Sequence, residues 1–247
     1  MGKVTDYIYS ELRKGPMHMT LIDPDKQKPE VAGEIAYEAF RFGTSAIMVG
    51  GSTGVERKSL EETLRSIKSK VTVPLISFPS GVSGVSPLFD ALYFLSMLNS
   101  RSPRHITGEQ AAGAPVVKSF GIEPIGMGYI IVEPGMKVGE VGEAEPIRRS
   151  DLARAAGYAL AAEYFGMKLV YLEAGSGSPV HVPSEMVRAV KKEITIPLLV
   201  GGGIRSEKAA REVAEAGADI VVTGTVVERK DGISQLKDII SAVRDGR

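Results

Sequence analysis

Eight short apolar segments rich in β-forming residues recur along this chain, and most of them precede a stretch with helical periodicity. The apolar segments cover residues 17–22, 46–49, 74–78, 91–97, 128–132, 168–172, 197–200 and 219–222. The helical stretches that alternate with them cover residues 30–42, 60–70, 152–165, 184–192, 207–216 and 233–243. Alternation of this kind is typical of parallel βα units. The chain is therefore predicted to be an α/β protein.

The length of the chain favours a closed barrel over an open sheet. Eight strands within 247 residues match one (β/α)8 barrel, and no Gly-x-Gly-x-x-Gly motif follows the first strand. No internal repeat, charge block or low-complexity linker divides the sequence. We expect residues 1–247 to form a single domain.

The connection between the third and fourth strands departs from the regular pattern. Residues 79–87 read Pro-Ser-Gly-Val-Ser-Gly-Val-Ser-Pro, which is rich in helix breakers and too short for a crossover helix. We predict a modified barrel in which a loop replaces the third helix. The gap would leave a groove for a long apolar ligand, although an ordinary surface loop is the alternative. Aromatic and aliphatic side chains here either line that groove or belong to the core: Phe78, Leu88, Phe89 and Tyr93.

The composition excludes several classes of function. Lys plus Arg equals Asp plus Glu at 30 each, so no net field recruits nucleic acid or an anionic membrane. The chain has no cysteine, which excludes disulfides, thiolate zinc sites and a cysteine nucleophile and fits a reducing cytosol. Residues 1–13 lack the apolar core of a signal peptide, and no apolar run reaches membrane-spanning length. We expect a cytoplasmic protein whose membrane contacts are transient.

Glycine-rich stretches follow the last three predicted strands, where barrels commonly bind phosphate. The sixth strand ends in Tyr171, Leu172, Glu173, Ala174, Gly175, Ser176 and Gly177; the seventh in Gly201, Gly202 and Gly203; the eighth in Gly224 and Thr225. Glycine lets backbone amides approach phosphate oxygens, and the helix that begins near Ser206 presents a favourable N-terminus. The sequence thus predicts a phosphate site at the mouth of the barrel.

Glu173 lies inside this glycine-rich cluster. A carboxylate beside a bound phosphate would be repelled unless it had a role, and a base or hydroxyl-orienting role fits. The alternative is a structural carboxylate that pairs with a lysine or caps a neighbouring loop.

A second polar group follows the first two strands. Asp23 and Lys26 come after the first strand, and Ser52 follows the second. Hard oxygen ligands suit Mg²⁺, which proteins hold with one or two carboxylates while diphosphate and water complete the shell. Asp23 and Ser52 are predicted to form a binding site for Mg²⁺ and diphosphate. The alternative is that Asp-Pro-Asp is only a turn and helix cap.

Other polar residues carry weaker signals. The three histidines, His18, His105 and His181, lack metal-ligand spacing, and His18 is expected to have a satisfied core role or a role at the bottom face of the barrel. Residues 99–101, Asn-Ser-Arg, follow the fourth strand and either contact diphosphate or begin a helix.

Seven motifs in order resemble those of the geranylgeranylglyceryl phosphate synthase family over nearly the whole chain. They are Thr-Leu-Ile-Asp-Pro-Asp-Lys, Gly-Gly-Ser-Thr-Gly-Val, Phe-Pro-Ser-Gly, Leu-Asn-Ser, Tyr-Leu-Glu-Ala-Gly-Ser-Gly, Val-Gly-Gly-Gly-Ile-Arg and Thr-Gly-Thr. The resemblance implies a TIM barrel without its third helix. It also implies an Mg²⁺-dependent enzyme that joins sn-glycerol 1-phosphate to geranylgeranyl diphosphate as an ether, in the first committed step to archaeal membrane lipids.

The resemblance also assigns residues. It implies metal binding at Asp23 and Ser52, and glycerol phosphate binding at 171–177, Gly202, Gly203, Gly224 and Thr225. Firmicute relatives with a longer heptaprenyl donor typically show Lys-x-Asp-Pro and Tyr-x-Glu-Tyr-Ser-Gly; Leu21 and Ala174 depart from these motifs and favour the archaeal-type branch, in which dimers and hexamers occur. We expect a homo-oligomer.

The mechanism that follows gives each catalytic candidate a role. Glu173 orients the free hydroxyl and accepts its proton, Tyr171 positions the substrate, and Lys26 assists the departing diphosphate. Two rivals remain from the residues alone: an isomerase or lyase acting on a phosphosugar, and a noncatalytic phosphate-metabolite sensor. A self-associating scaffold explains none of the mouth residues.

Overall fold

Eight parallel strands close into a barrel in chain order. The computed structural model describes residues 2–51, 57–228 and 232–246. The strands are β1 (Met17–Ile22), β2 (Ala46–Val49), β3 (Leu75–Ser77), β4 (Ala91–Met97), β5 (Glu123–Ile131), β6 (Leu169–Glu173), β7 (Leu198–Gly201) and β8 (Ile220–Thr223). Each strand pairs with its successor, and β8 pairs with β1. The predicted (β/α)8 barrel and all eight predicted strands are confirmed.

Helices surround the barrel and follow most of its strands. In the described residues they are α1 (Lys3–Leu12), α2 (Pro29–Phe42), α3 (Arg57–Lys68), α4 (Glu109–Phe120), α5 (Met136–Val141), α6 (Leu152–Tyr164), α7 (Ser184–Glu193), α8 (Glu207–Glu215) and α9 (Gly232–Arg244). The six predicted helices are present as α2, α3 and α6 to α9. None of the described helices is both long and apolar enough to cross a lipid bilayer.

The connection from β3 to β4 contains no α-helix. It makes only a single 3₁₀ turn at Val82–Gly84 before β4 begins. The predicted replacement of the third helix by a loop is therefore confirmed. Helix α4 and the turn before it, residues 104–108, pack against β4.

Side chains along each strand alternate between two apolar layers. On β4, Tyr93 and Leu95 point into the barrel, whereas Leu92 and Phe94 point toward the outer helices. This alternation follows from the two-residue period of a strand. Both layers are buried, which is why the strands read as continuous apolar segments.

Helix α1 closes the bottom of the barrel, which the sequence did not predict. Its Val4 and Ile8 pack against the interior cluster. The carboxylate of Glu123, at the start of β5, accepts hydrogen bonds from the backbone N–H groups of Val4 at 2.8 Å and Thr5 at 2.9 Å. An acidic group at a helix N-terminus satisfies donors that the helix itself leaves unpaired.

His18 faces the outer helices, as a core residue. Its Nδ1 lies 3.0 Å from Thr44 Oγ1 and its Nε2 lies 2.9 Å from Thr223 Oγ1. The predicted satisfied core role is confirmed. Complete burial lowers the pKa of His18 from 6.5 to about 3.

Candidate active site at the strand C-termini

A long apolar cavity runs from the mouth of the barrel along the gap left by the missing helix. Its volume is about 430 Å³, within the range of small-molecule sites. Asp23, Gly51 and Glu173 line it at the mouth, and Val85, Leu92 and Val117 line it between β4 and α4. We call this cavity the trench. Its position is the one predicted from the helix breakers of 79–87.

Only half of the predicted lining residues border the trench. Phe78 and Tyr93 line it. Leu88 and Phe89 instead pack in the layer between barrel and helices, which is the core alternative given above. The reason is that the chain turns at Ser86, whose backbone carbonyl accepts a hydrogen bond from Phe89 N–H at 3.2 Å, which directs the two side chains into the core.

Aromatic rings form the floor below the mouth. Phe78 lies 5.6 Å from Tyr129, 5.9 Å from Tyr171 and 6.4 Å from Tyr93, measured between ring centroids. Tyr129 and Tyr171 stack edge to face at 5.2 Å. The sequence analysis missed Tyr129, although the signal was present: it is paired with Tyr171 in the β5–β6 register.

A smaller polar cavity adjoins the trench at the ends of β6, β7 and β8. Its volume is about 40 Å³, and its lining includes Ser176, Gly202, Gly203, Gly224 and Thr225. We call it the cup. Ser176 Oγ and Thr225 Oγ1 are 3.1 Å apart across it.

Two glycines of the cup hold backbone conformations that other residues rarely adopt. Gly202 has φ +80° and Gly203 has φ +73°. A Cβ on either would also meet backbone atoms of the loop after β6. These positions therefore require glycine for both reasons, as expected of a loop whose amides approach an anion.

Not every residue of 171–177 faces the cup. Tyr171, Glu173 and Ser176 line it. Leu172 and Ala174 are fully buried in the layer outside the barrel and line neither cavity, so their side chains do not reach the cup, and their assignment to substrate binding stays a prediction. Period-two alternation explains this outward orientation.

Gly175 and Gly177 support the loop instead. The N–H of Gly175 donates to Glu173, and the carbonyl of Gly177 accepts a hydrogen bond from Arg205. Arg205 lines the cup and is a half-exposed cation that the sequence analysis did not assign to the site.

Glu173 borders both cavities. Its side chain is only 6% exposed, and its Oε1 accepts a hydrogen bond from Gly175 N–H at 2.6 Å. Burial raises the pKa of Glu173, while hydrogen bonds from the Tyr171 hydroxyl and Gly175 N–H partly offset that rise. Glu173 therefore does cap the loop after β6, as the structural alternative predicted. Its carboxyl group also faces the trench and the cup. Such a carboxyl group is suited to accept a proton.

Tyr171 holds the Glu173 carboxylate from below. The tyrosine is 1% exposed, and burial together with the Glu173 charge raises its pKa well above the ordinary value. Its hydroxyl therefore stays protonated and donates to Glu173. Gly201 lies directly against that hydroxyl, leaving no room for a Cβ.

Asp23 and Lys26 lie at the opposite side of the mouth, where both line the trench. Asp23 is half-buried, and its Oδ1 accepts a hydrogen bond from Asp25 N–H at 3.0 Å. Burial raises the pKa of the Asp23 carboxyl group. A Cβ on Gly51 would lie 2.7 Å from Asp23 Oδ1, so glycine keeps space open beside this carboxylate. Ser52, the other predicted metal ligand, lies outside the described residues.

The side chains of Asp23 and Lys26 fit a metal ion that is bound jointly by the protein and a phosphate-bearing substrate. In the described ranges, no cluster of three or more His, Cys, Asp or Glu side chains is arranged to hold a metal. Asp23 offers its carboxylate on this side of the trench mouth, opposite Glu173. Mg²⁺ commonly binds in this way, with one carboxylate and the remaining ligands from phosphate and water.

Asn99 does not reach either cavity. It is 2% exposed, and its amide binds backbone groups of Ile131 and Glu145. The side chain of Asn99 therefore neither faces a cavity nor begins a helix, since the next helical turn is Arg104–Gly108. Residues 133–149 cover the mouth and include α5. Lys137, Val138, Val141 and Gly142 line the trench from above.

Comparisons with known proteins place this geometry in a family. The sequence profile of the PcrB family matches residues 9–245. The geranylgeranylglyceryl phosphate synthase of Pyrococcus horikoshii is 52% identical over 246 residues, covering 100% of this chain and 97% of that protein. The synthase of Pyrococcus abyssi is 53% identical over 247 residues, covering 100% and 98%.

A solved structure supports the same assignment. The (S)-3-O-geranylgeranylglyceryl phosphate synthase of Thermoplasma acidophilum, in complex with its substrate sn-glycerol-1-phosphate, superposes with a TM-score of 0.95. The two chains are 45% identical, and 99% of each is covered.

Proposed function

Because this chain belongs to the PcrB family, within the branch of the geranylgeranylglyceryl phosphate synthases, we propose that it joins sn-glycerol 1-phosphate to geranylgeranyl diphosphate. The products are 3-O-geranylgeranyl-sn-glycerol 1-phosphate and diphosphate. One observation carries the proposal: the polar cup and the apolar trench meet at Glu173, and Leu21, Ser176, Gly224 and Thr225 also border both. A prenyltransferase needs such a junction because its acceptor is polar and its donor is a long hydrocarbon.

The acceptor belongs in the cup. Its phosphate is placed against the loop amides around Gly202 and Gly203 and the hydroxyls of Ser176 and Thr225, with Arg205 nearby to offset its charge. This leaves the glycerol backbone pointing toward Glu173, so that the free 3-hydroxyl lies at the junction of the cavities.

The donor belongs in the trench. Its diphosphate lies at the mouth beside Asp23 and Lys26, and its isoprenoid chain follows Phe78 and Tyr93 into the space beside β4. Burial of this chain contributes about 0.8 kcal/mol per methylene, which makes the trench the main source of donor affinity.

The chemical step is a substitution at C1 of the donor. The bond from C1 to the diphosphate oxygen breaks, and the 3-hydroxyl oxygen of the acceptor forms the ether bond to C1. The hydroxyl proton passes to the Glu173 carboxylate, whose raised pKa makes it a better acceptor than an ordinary glutamate. Tyr171 fixes that carboxylate in place, since its own raised pKa keeps its proton on the phenol.

We propose that the reaction depends on Mg²⁺, with Asp23 and Ser52 holding it. When bound, the ion would neutralise charge on the departing diphosphate. Lys26 would add a second positive charge at the same place. The donor chemistry at the trench mouth supports this, since one half-buried carboxylate stands beside the space that Gly51 keeps open.

The metal assignment is tested at Asp23. In Asp23→Asn, the Mg²⁺ concentration for half-maximal activity should rise by about tenfold or more, because a carboxylate ligand has become a neutral amide. Steady-state rates over a magnesium titration measure this. Activation at the wild-type concentration would move the metal site elsewhere.

We also propose that the protein is a homo-oligomer, dimer or hexamer, that works in the cytoplasm and contacts membranes only transiently. The family resemblance supports the oligomer, and the balanced charge and absence of cysteine support the location. Light scattering of the purified protein tests the first point; a monomeric mass at micromolar concentration would refute it.

The rival functions leave part of the site unused. A phosphosugar isomerase or lyase would use the cup and Glu173 but has no need for an apolar trench of about 430 Å³. A phosphate-metabolite sensor would need neither the trench nor a buried carboxylate beside the phosphate.

Replacement of the proposed base tests the function. Glu173→Gln should lower kcat by roughly 10²- to 10⁴-fold, the usual contribution of proton transfer, because the amide cannot accept the proton. The affinity for sn-glycerol 1-phosphate should change by less than about threefold, since its phosphate is held by other groups of the cup. Single-turnover rates and calorimetric titration measure the two quantities. Unchanged turnover would remove Glu173 from the role of base.

A further inference from the structure

The segment that covers the trench is held by one buried side chain outside both cavities. We call α5 together with Gly135 and Gly142 the roof. The chain returns from the roof through residues 143–147, which lie against the end of β5. Two bridges mark this return: Ser100 with Ala144, and Val132 with Ile147.

Asn99 joins this return segment to the barrel with its whole amide group. Its Oδ1 accepts from Ile131 N–H at 3.0 Å, and its Nδ2 donates to Ile131 O at 2.8 Å and to Glu145 O at 2.9 Å. Its own carbonyl accepts from Glu145 N–H at 2.8 Å. Four hydrogen bonds in a site that is 2% exposed make a rigid clamp, since the buried Asn99 amide would lose its partners if these bonds broke.

The neighbouring residues extend the clamp to the roof itself. Ser100 Oγ donates to Gly142 O at 2.6 Å, and Arg101 N–H donates to Glu143 O at 3.0 Å. Met97, which lines the trench, packs against Gly142 so closely that a Cβ there would have no room. The height of the roof above the trench is thus set by residues 97–101.

The opposite end of the roof is fastened to the strand that carries Glu173. Gly135 N–H donates to Ala174 O at 3.1 Å, and Val132 N–H donates to Glu173 O at 2.8 Å. With both ends fixed, the apolar side chains of Val138 and Val141 are held over the trench.

We propose that Asn99 is a positioning residue for the prenyl donor, which holds the roof over the isoprenoid chain and so sets the affinity for long donors. This inference rests on the proposed function. Asn99 touches no substrate itself; it acts through the roof. Loss of the clamp leaves the cup and Glu173 in place and loosens only the apolar wall.

The test uses Asn99→Asp, which keeps the shape of the side chain but replaces the Nδ2 donor with an acceptor. The KM for geranylgeranyl diphosphate should rise by about tenfold or more, while the KM for sn-glycerol 1-phosphate stays within about twofold. The inhibition constant of dimethylallyl diphosphate should also stay within about twofold, because its five carbons offer the roof little to cover.

Two further variants separate positioning from stability. Ser100→Ala, which removes only the bond to Gly142, should change the same donor KM in the same direction by a smaller factor. Ser69→Ala removes the hydrogen bond of 2.8 Å from Ser69 Oγ to Ser66 O after α3, at the end of the barrel opposite the roof, and should leave all three constants unchanged. Hydrogen exchange should accelerate in residues 136–147 of Asn99→Asp and not in Ser69→Ala.

The outcomes are distinct. A donor KM that is unchanged in Asn99→Asp and Ser100→Ala overturns the inference, as does an equal loss for the five-carbon and twenty-carbon diphosphates. If Asn99→Asp does not fold, Ser100→Ala decides alone by the same criteria. Failure of the wild-type protein to form any prenylated product would instead refute the proposed function, and direct binding of the two diphosphates would then still show whether the roof discriminates chain length.

Discussion

Gly201 packs tightly against Tyr171, which holds the proposed base Glu173. Its φ is not in the left-handed region, so alanine is conformationally allowed there, but a Cβ would meet the hydroxyl and ring of Tyr171. Gly201→Ala should displace Tyr171 and, through it, Glu173. We expect kcat/KM to fall by roughly 10²-fold, as for a catalytic group misplaced by about 1 Å.

Gly157→Ala is the matched control for Gly201→Ala. A Cβ at Gly157 in α6 has no neighbour within 4 Å. Alanine there should leave the kinetic constants unchanged and stabilise the helix by about 0.5–1 kcal/mol. Equal kinetic constants in the two variants would contradict the role given to Tyr171.

His18 should make the fold sensitive to acid. In the unfolded chain its pKa is the ordinary 6.5, whereas in the native state burial lowers it to about 3. Between these values the unfolded state binds a proton that the native state does not, so this contribution is complete above pH 6.5 and is lost as the pH falls toward 3. The loss reaches about 2 kcal/mol at pH 5.

Urea unfolding of the wild type and His18→Gln measures this effect. The variant is expected to be less stable at neutral pH, because the buried hydroxyls of Thr44 and Thr223 each lose the imidazole as a hydrogen-bond partner. Its free energy of unfolding should decline less steeply than that of the wild type between pH 6.5 and 4. Parallel curves for the two proteins would show that His18 does not titrate on unfolding.

The location of a single residue could be predicted from the sequence where a polar side chain directly follows a predicted strand. Glu173 and Asp23 follow strands, and polar groups at strand ends of a barrel point to the mouth. Asn99 follows a strand too, yet its role depends on Ile131 and Glu145, which are distant in sequence and meet it only in the fold. The side chain of Leu172 lies outside the barrel, which its motif could not predict, because motif membership does not state which face of a strand a side chain occupies.

At the scale of elements, helix α4 and the short β3–β4 connection build the trench together. The connection was predictable because prolines and glycines mark it. Helix α4 was not among the predicted helices, because Gly113 and Pro115 interrupt its periodicity. Helices α1 and α5 were also missed: α5 lies among glycines, and α1 gains its stability from contacts with the barrel floor, including Glu123.

Gly113 should set how much of the trench a donor fills. It is buried, lines the trench, and a Cβ there would lie 3.8 Å from Val82 Cγ2, in open space between α4 and the 3₁₀ turn. Gly113→Leu should fold and obstruct the trench. We expect kcat/KM for the twenty-carbon donor to fall by about tenfold or more, while a ten-carbon donor changes far less.

Ala112→Leu adds a comparable side chain to the exposed face of the same helix and serves as the control. Its donor preference should match the wild type. An equal loss for both donors in Gly113→Leu would mean that the prenyl chain does not pass between α4 and the 3₁₀ turn.

At the scale of the whole molecule, a barrel with one helix removed brings two unlike cavities to one carboxyl group. The closed sheet fixes the cup, because the ends of β6, β7 and β8 are neighbours through continuous pairing. The missing helix opens the trench on the other side of the mouth. The fold class and both cavities followed from the sequence pattern, whereas the roof and its clamp required the tertiary structure.

The identity of the product tests this account most directly. The purified protein would be incubated with Mg²⁺, labelled sn-glycerol 1-phosphate and a series of prenyl diphosphates from ten to thirty-five carbons, and the organic extract would be analysed by mass spectrometry. The account predicts an ether-linked prenylglyceryl phosphate, formed best from the twenty-carbon donor and lost in Glu173→Gln. Measurable binding of glycerol phosphate without product from any donor would contradict it.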